Sequence, residues 1–194
     1  WLKIYNIPVL YFPKFFHPDP TVKRKSGFLI PSFSDSKNLG ASMNIPYFLA
    51  ISDNQDLTFK PRIFSNNKFL LQSEYRKEKK NSSHIIDFSI NKTDNDSENG
   101  RNTHLFANSK FNLNPNYFDE SNINIKIEKV SNDNYISLYS LESTSPIIKD
   151  TSTLENLIEF SGSRDDFDLD ISLESYEKMN KPTSDRYEFI YPNY

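Results

Sequence analysis

The chain has 194 residues, a net charge of -3 and no cysteine. That length suits one domain or a part of a larger one. The small net charge gives no reason to expect nucleic acid as a partner, and without cysteine neither a disulfide framework nor a thiolate metal site can form within it. Tyr (11) and Phe (16) are plentiful and Gly (4) is scarce, with a mean hydropathy of -0.67. Strands that are apolar on one face only give this combination, in a water-soluble β-protein and in a transmembrane β-barrel alike. No run of about 18 apolar residues occurs, so no transmembrane helix is expected. Trp1 at the start and the strand-like YEFIYPNY at the end read as the borders of an interior segment of a longer chain.

In chain order, the spacing predicts strands over 2–12, 26–34, 39–50, 56–65, 68–78, 84–92, 102–112, 121–130, 152–162, 165–177 and 186–192. The signal is a period of two. It is cleanest in FDLDISL, where Phe167, Leu169, Ile171 and Leu173 share one face, and in NINIKIE, with Ile123, Ile125 and Ile127. The segment TSTLENLIEF at 151–160 fits helix and strand about equally, and its neighbours favour strand. Most predicted strands are about 9–11 residues long, the length that crosses a bilayer at a tilt, against about 5–6 for an ordinary strand. Short links at 51–55, 79–83 and 161–162 alternate imperfectly with longer ones, chiefly 93–101, 131–151 and 178–185, a pattern of tight turns on one side and longer loops on the other.

Two of these strands contain a proline near the middle, Pro31 and Pro46. Proline has no N–H for a ladder, and strand interiors normally exclude it. Between the first two predicted strands lies HPDPTVKRK. His17 and Asp19 form too small a set for a metal site, and the two prolines read as a rigid connector. Lys23, Arg24 and Lys25 form a basic run that suits a solvated turn or an anionic lipid head group. DNDSENG at 94–100 departs from a calcium loop, with its glycine one place late and Leu105 where the closing glutamate belongs, and reads as an exposed acidic loop. His17, His84 and His104 are far apart and no G-x-S-x-G occurs. No enzyme activity and no cofactor are expected.

The runs IYNIPVLYFPKFFHPDPTVKRKSGFLIPSF, LGASMNIPYFLAI, DLTFKPRIF and LLQSEYR, and later VSNDNYISLYS and RYEFIYPNY, resemble the LptD (OstA) family of lipopolysaccharide-assembly proteins. The family pattern often has glycine where Asn6 stands. The resemblance implies an all-β fold. Residues 1–16 would end a periplasmic β-jellyroll, 17–25 would be a hinge, and 26–194 would be about ten antiparallel strands at the start of an outer-membrane β-barrel. It implies a place in the outer membrane of a Gram-negative bacterium, with an N-terminal periplasmic part. The implied partners are lipopolysaccharide, outer-membrane lipid, an LptE-like plug lipoprotein and an LptA-like periplasmic bridge protein. Pro31 and Pro46 would loosen a lateral gate at the first barrel strand. His17, Asp19, Lys23, Arg24 and Lys25 would form the hinge or touch head groups. The polar face bearing Lys60, Arg62, Gln72, Glu74, Asp87, Lys126, Glu128, Asp168 and Asp170 would line the lumen. Two alternatives from the residues alone stay open: a secreted or periplasmic β-sandwich that binds glycans or partners, and a small self-contained barrel acting as porin or adhesin.

Overall fold

The structure, a computed structural model, describes residues 2–4, 7–10, 24–92, 101–113 and 117–193. His17, Asp19, Lys23, Asn6 and the acidic loop 94–100 lie outside them.

The first expectation to change is the strand over 2–12. Two short strands, β1 (Leu2–Ile4) and β2 (Ile7–Leu10), pair antiparallel with Ile4 opposite Ile7. No other described strand lies beside them. The segment therefore satisfies part of its backbone by pairing with itself.

All other described strands join one antiparallel sheet of twelve. They are β3 (Gly27–Phe28), β4 (Ser32–Ser36), β5 (Gly40–Asn44), β6 (Tyr47–Ser52), β7 (Gln55–Phe64), β8 (Phe69–Lys79), β9 (Ser82–Lys92), β10 (Arg101–Leu113), β11 (Glu120–Val130), β12 (Thr153–Arg164), β13 (Phe167–Lys178) and β14 (Tyr187–Asn193). From β7 to β14 each neighbour in the sheet follows in sequence, as tight turns and antiparallel pairing favour. β3 and β4 share one strand position and β5 and β6 the next, so twelve strands fill ten positions. The segment at 151–160 is strand, as its neighbours suggested.

The expected link at 161–162 is corrected. Ser161 and Gly162 lie inside β12, opposite Asp170 and Leu169. The chain turns instead at Asp165, in the left-handed region with φ 48°. At Gly162 a Cβ would stand 2.8 Å from Cδ1 of Phe118, which packs edge-on against Phe160, so a larger residue would have to displace that ring.

Alternation gives the sheet two unlike faces. One face is apolar and bare. Across it run Leu71 and Ile90, Phe88 and Leu105, then Ile125, Ile158 and Leu173, and Ile123, Phe160 and Ile171, each in register with the next. Ile63 and Ile158 on this face are 53% and 54% exposed. The opposite face is polar and is partly covered by residues 131–151. That segment was expected to be a plain loop, and here the structure differs most. It forms a short helix, α1 (Tyr135–Tyr139), and one 3-10 turn (Leu141–Ser143). Its Tyr135, Ile136, Tyr139, Leu141, Ile147 and Ile148 are buried in one core with Phe64, Leu70, Phe106 and Val130 of the sheet. Apolar side chains at this density cannot remain in water at no cost, so the segment folds back as a strap across the nearest strands.

Candidate functional site

Two features stand out: a line of ladder defects in the first three strand positions, and a charged network beneath the strap.

The defects fall where the two prolines are. β3 ends and β4 begins on either side of Leu29–Pro31, and β5 and β6 are separated by Ile45 and Pro46. Leu29 N donates to Pro46 O at 2.8 Å. The reciprocal bond of an antiparallel pair would run from N of residue 46 to the Leu29 carbonyl, and proline has no hydrogen to give. The same half-pair recurs one position further in. Ile45 N donates to Pro61 O at 3.2 Å, and Pro61 returns nothing. The sequence alone does not single out Pro61, although Pro31, Pro46 and Pro61 are evenly spaced. The register between the first two positions also slips. Phe28 faces Tyr47 and Ser32 faces Asn44, so residues 29–31 oppose only 45–46. This is a bulge, and Pro31 sits in it.

The charged network lies on the covered face, where alternation also places all nine polar residues singled out above. Lys60 Nζ donates to Glu74 Oε2 at 2.7 Å and to the strap carbonyl of Thr144 at 2.6 Å. Arg62 Nη1 donates to the Tyr139 carbonyl at 2.8 Å. The strap thus places backbone oxygens on two sheet cations. Asp87, fully buried, accepts from Gln72 Nε2 at 3.1 and 3.0 Å, and the Thr144 hydroxyl donates to Gln72 Oε1 at 2.7 Å. On the other side, His104 Nε2 lies 3.6 Å from Asp87, and its Nδ1 is hydrogen-bonded to Ser89, which reaches the Tyr135 hydroxyl at 2.9 Å. The Thr144 side of the strap is thus hydrogen-bonded through Gln72 to this buried carboxylate, while the Tyr135 side stops at His104, whose Nε2 has no hydrogen-bond partner among the described residues. His104, Ser89 and Tyr135 were not singled out from sequence. For Ser89 and His104 the available signal was position on the polar side of strongly alternating strands, and for Tyr135 it was the apolar content of the strap.

Lys126 bridges Glu128 at 2.9 Å and Glu155 at 2.6 Å. Asp168 and Asp170 stand apart from this network, beside Glu120, Asn122 and Ser161 in an open polar groove. Arg24 pairs with buried Asp56 at 2.7 Å and lies over the Phe48 ring, and Arg76 holds the other Asp56 oxygen at 2.9 Å. Lys25 is exposed. Among the described residues, no group of three or more His, Asp or Glu is placed to hold a metal ion.

The strap is also clasped at its start. Arg186, in the short helix α2 (Thr183–Arg186), donates to both Asp133 oxygens, at 3.0 and 2.6 Å, and to Glu177. The hydrogen bonds from Arg186 hold the Asp133 carboxyl below its ordinary value of 3.8. A lowered carboxyl pKa contributes stability that is present above the ordinary value and is lost as pH falls through the lowered one. Protease cleavage within 131–151 is therefore expected to rise as pH drops below about 3.8. Arg186→Gln should show raised cleavage at neutral pH and a smaller acid increment. An acid increment of unchanged size in Arg186→Gln would contradict the assignment.

The sequence profile of the LptD protein matches residues 1–178. A protein of Pseudoalteromonas translucida called LPS-assembly protein LptD is 35% identical over 137 residues, covering 70% of this chain and 18% of the relative. Proteins of the same name from Shewanella frigidimarina and Pseudomonas entomophila are 44% and 37% identical over 75 residues, covering 39% of this chain and 10% and 8% of their own lengths. The chain therefore spans under a fifth of each of these relatives. With the profile matched from Trp1 through strand β13, this chain belongs to the LptD family.

Proposed function

We propose that the chain is part of an outer-membrane β-barrel that moves lipopolysaccharide to the outer leaflet, with a lateral gate at its first strands. The observation that carries this reading is the two-faced sheet. An apolar band runs along one face, and charged side chains occupy the other. In a bilayer the band meets acyl chains and the polar face lines a hydrated lumen. Lys60, Arg62, Gln72, Glu74, Asp87, Lys126, Glu128, Asp168 and Asp170 are then lumenal. A sandwich would need a second sheet over the band; among the described residues the other sheet is the two-stranded β1–β2 pair.

Closure of the barrel comes from strands outside this chain. β1 and β2 belong to a periplasmic jellyroll, and the 17–25 segment is the hinge with Lys25 free for lipid head groups. An LptE-like plug and an LptA-like bridge protein complete the path. The prolines act within this scheme by loosening the first strand from the second and the second from the third. The pair can then swing aside and let the lipid part leave sideways.

The test is depletion of the full-length parent protein in its own cell. Newly made lipopolysaccharide should stop reaching the surface and accumulate inside the envelope. Unchanged surface lipopolysaccharide after depletion would end this reading.

A further inference from the structure

Beside the first two strand positions, the strap leaves a cleft of about 240 Å³ between itself and the covered face. Its floor has an unusual composition. Alternation turns Ser32, Ser34 and Ser36 of β4 toward the strap, with Ser42 and Arg62 on the neighbouring strands. On the strap side stand Tyr139, Ser140 and Ser143. Ser34 and Ser42 hydrogen-bond each other at 2.8 Å, whereas the hydroxyls of Ser32, Ser36 and Ser140 have no partner among the described residues.

Arg62 is the decisive group. It is half-buried, and among the described residues its one hydrogen bond goes to a neutral oxygen, the Tyr139 carbonyl. No carboxylate pairs with it among the described residues, in contrast to Lys60, Arg76, Lys126 and Arg186, each of which has at least one. A partly desolvated guanidinium with a single neutral acceptor leaves donors unused, and its fork matches phosphate geometry. Hydroxyls ranged along the same cleft add neutral donors that suit phosphate and sugar oxygens.

We propose that Arg62 and the serine-lined cleft bind a phosphate group of a phosphorylated glycolipid, and that the Tyr139 carbonyl occupies the place this phosphate takes. The proposal rests on the export reading and adds to it a residue, a ligand group and a role for the strap. Binding exchanges a carbonyl for a charged acceptor, so arrival of the ligand frees the strap at Tyr139. The cleft adjoins the strands carrying Pro31 and Pro46, which places strap release next to the loosened seam.

The experiment uses the full-length parent in detergent with three probes: a bisphosphorylated, acylated disaccharide, the same glycolipid without phosphate, and inorganic phosphate. Arg62→Gln should weaken binding of the phosphorylated form roughly tenfold or more, the worth of a lost charge-assisted bond, and leave the phosphate-free form unchanged. Ser34→Leu, which fills the cleft and keeps the Arg62 guanidinium, should weaken both glycolipids. Heat-dependent gel migration identical to wild type shows that each variant is folded. Equal affinity of wild type and Arg62→Gln for both the phosphorylated glycolipid and phosphate overturns the site. The export reading then stands or falls separately on the depletion test. Arg62-dependent binding of phosphate with no glycolipid binding supports the anion site with free phosphate as the source, and removes the lipid link.

Discussion

The parent protein carrying Pro31→Ala and Pro46→Ala together will deliver new lipopolysaccharide to the surface more slowly than wild type, and adding Pro61→Val will slow it further. The reason is the line of half-pairs. Pro46 takes a hydrogen bond from Leu29 and returns none, and Pro61 does the same to Ile45. A donor at residue 46 lets the Leu29 carbonyl gain its partner, and a donor at residue 61 does this for Ile45. Each restored ladder bond contributes roughly 1 kcal/mol net, and more where the alternative is an orphan group in hydrocarbon. Two bonds therefore shift an opening equilibrium by roughly 30-fold against the open state. Pro31→Ala acts differently, by letting the bulge at 29–31 relax toward a continuous strand. Pulse-labelling followed by surface detection measures the rate. Pro182→Ala, in the link before α2, is the control and should export normally. Wild-type kinetics in the triple variant would show that these defects are bends with no part in release.

The sequence made the sheet legible because its strands obey a strict period of two. Phe167 to Leu173 and Ile123 to Ile127 could hardly be helical, and their register across the sheet follows the same alternation. The anomalous prolines were legible too, as departures from a rule that strands rarely break. What lay beyond reach was their effect on pairing. The weak bonds join the first position to the second and the second to the third, and only the register identifies Pro61 as a third member. The strap was hidden for a different reason. Residues 131–151 look like a polar link at their start, SNDN, and no period marks the rest of the segment. Tyr135, Ile136, Tyr139 and Leu141 are nonetheless too apolar for a solvated loop, and this was the available signal. Pairing choices such as Lys60 with Thr144 or Gln72 with Asp87 depend on long-range contacts, which alternation does not encode.

Leu141→Ala will release the strap while leaving the sheet intact. Leu141 is fully buried where the strap meets the covered face. Truncating a buried leucine costs about 2–5 kcal/mol, set by how far the site collapses around the cavity. That loss falls on a unit held by one apolar cluster, two backbone carbonyls on Lys60 and Arg62, the Thr144–Gln72–Asp87 chain and the Asp133–Arg186 clasp. The strands hold each other through continuous ladders of seven to twelve residue pairs from β7 to β13 and do not depend on the strap for pairing. Segments stabilised by separate contacts open separately. The amides of Leu138 and Ser145, bonded to the Asn134 and Leu141 carbonyls, should therefore exchange with solvent roughly 30- to 4000-fold faster in the variant. Those of β8 and β9 should keep their protection. Comparable loss in strap and strands would mean that the two form one cooperative unit. The strap could not then act as a part displaced by a ligand at Arg62.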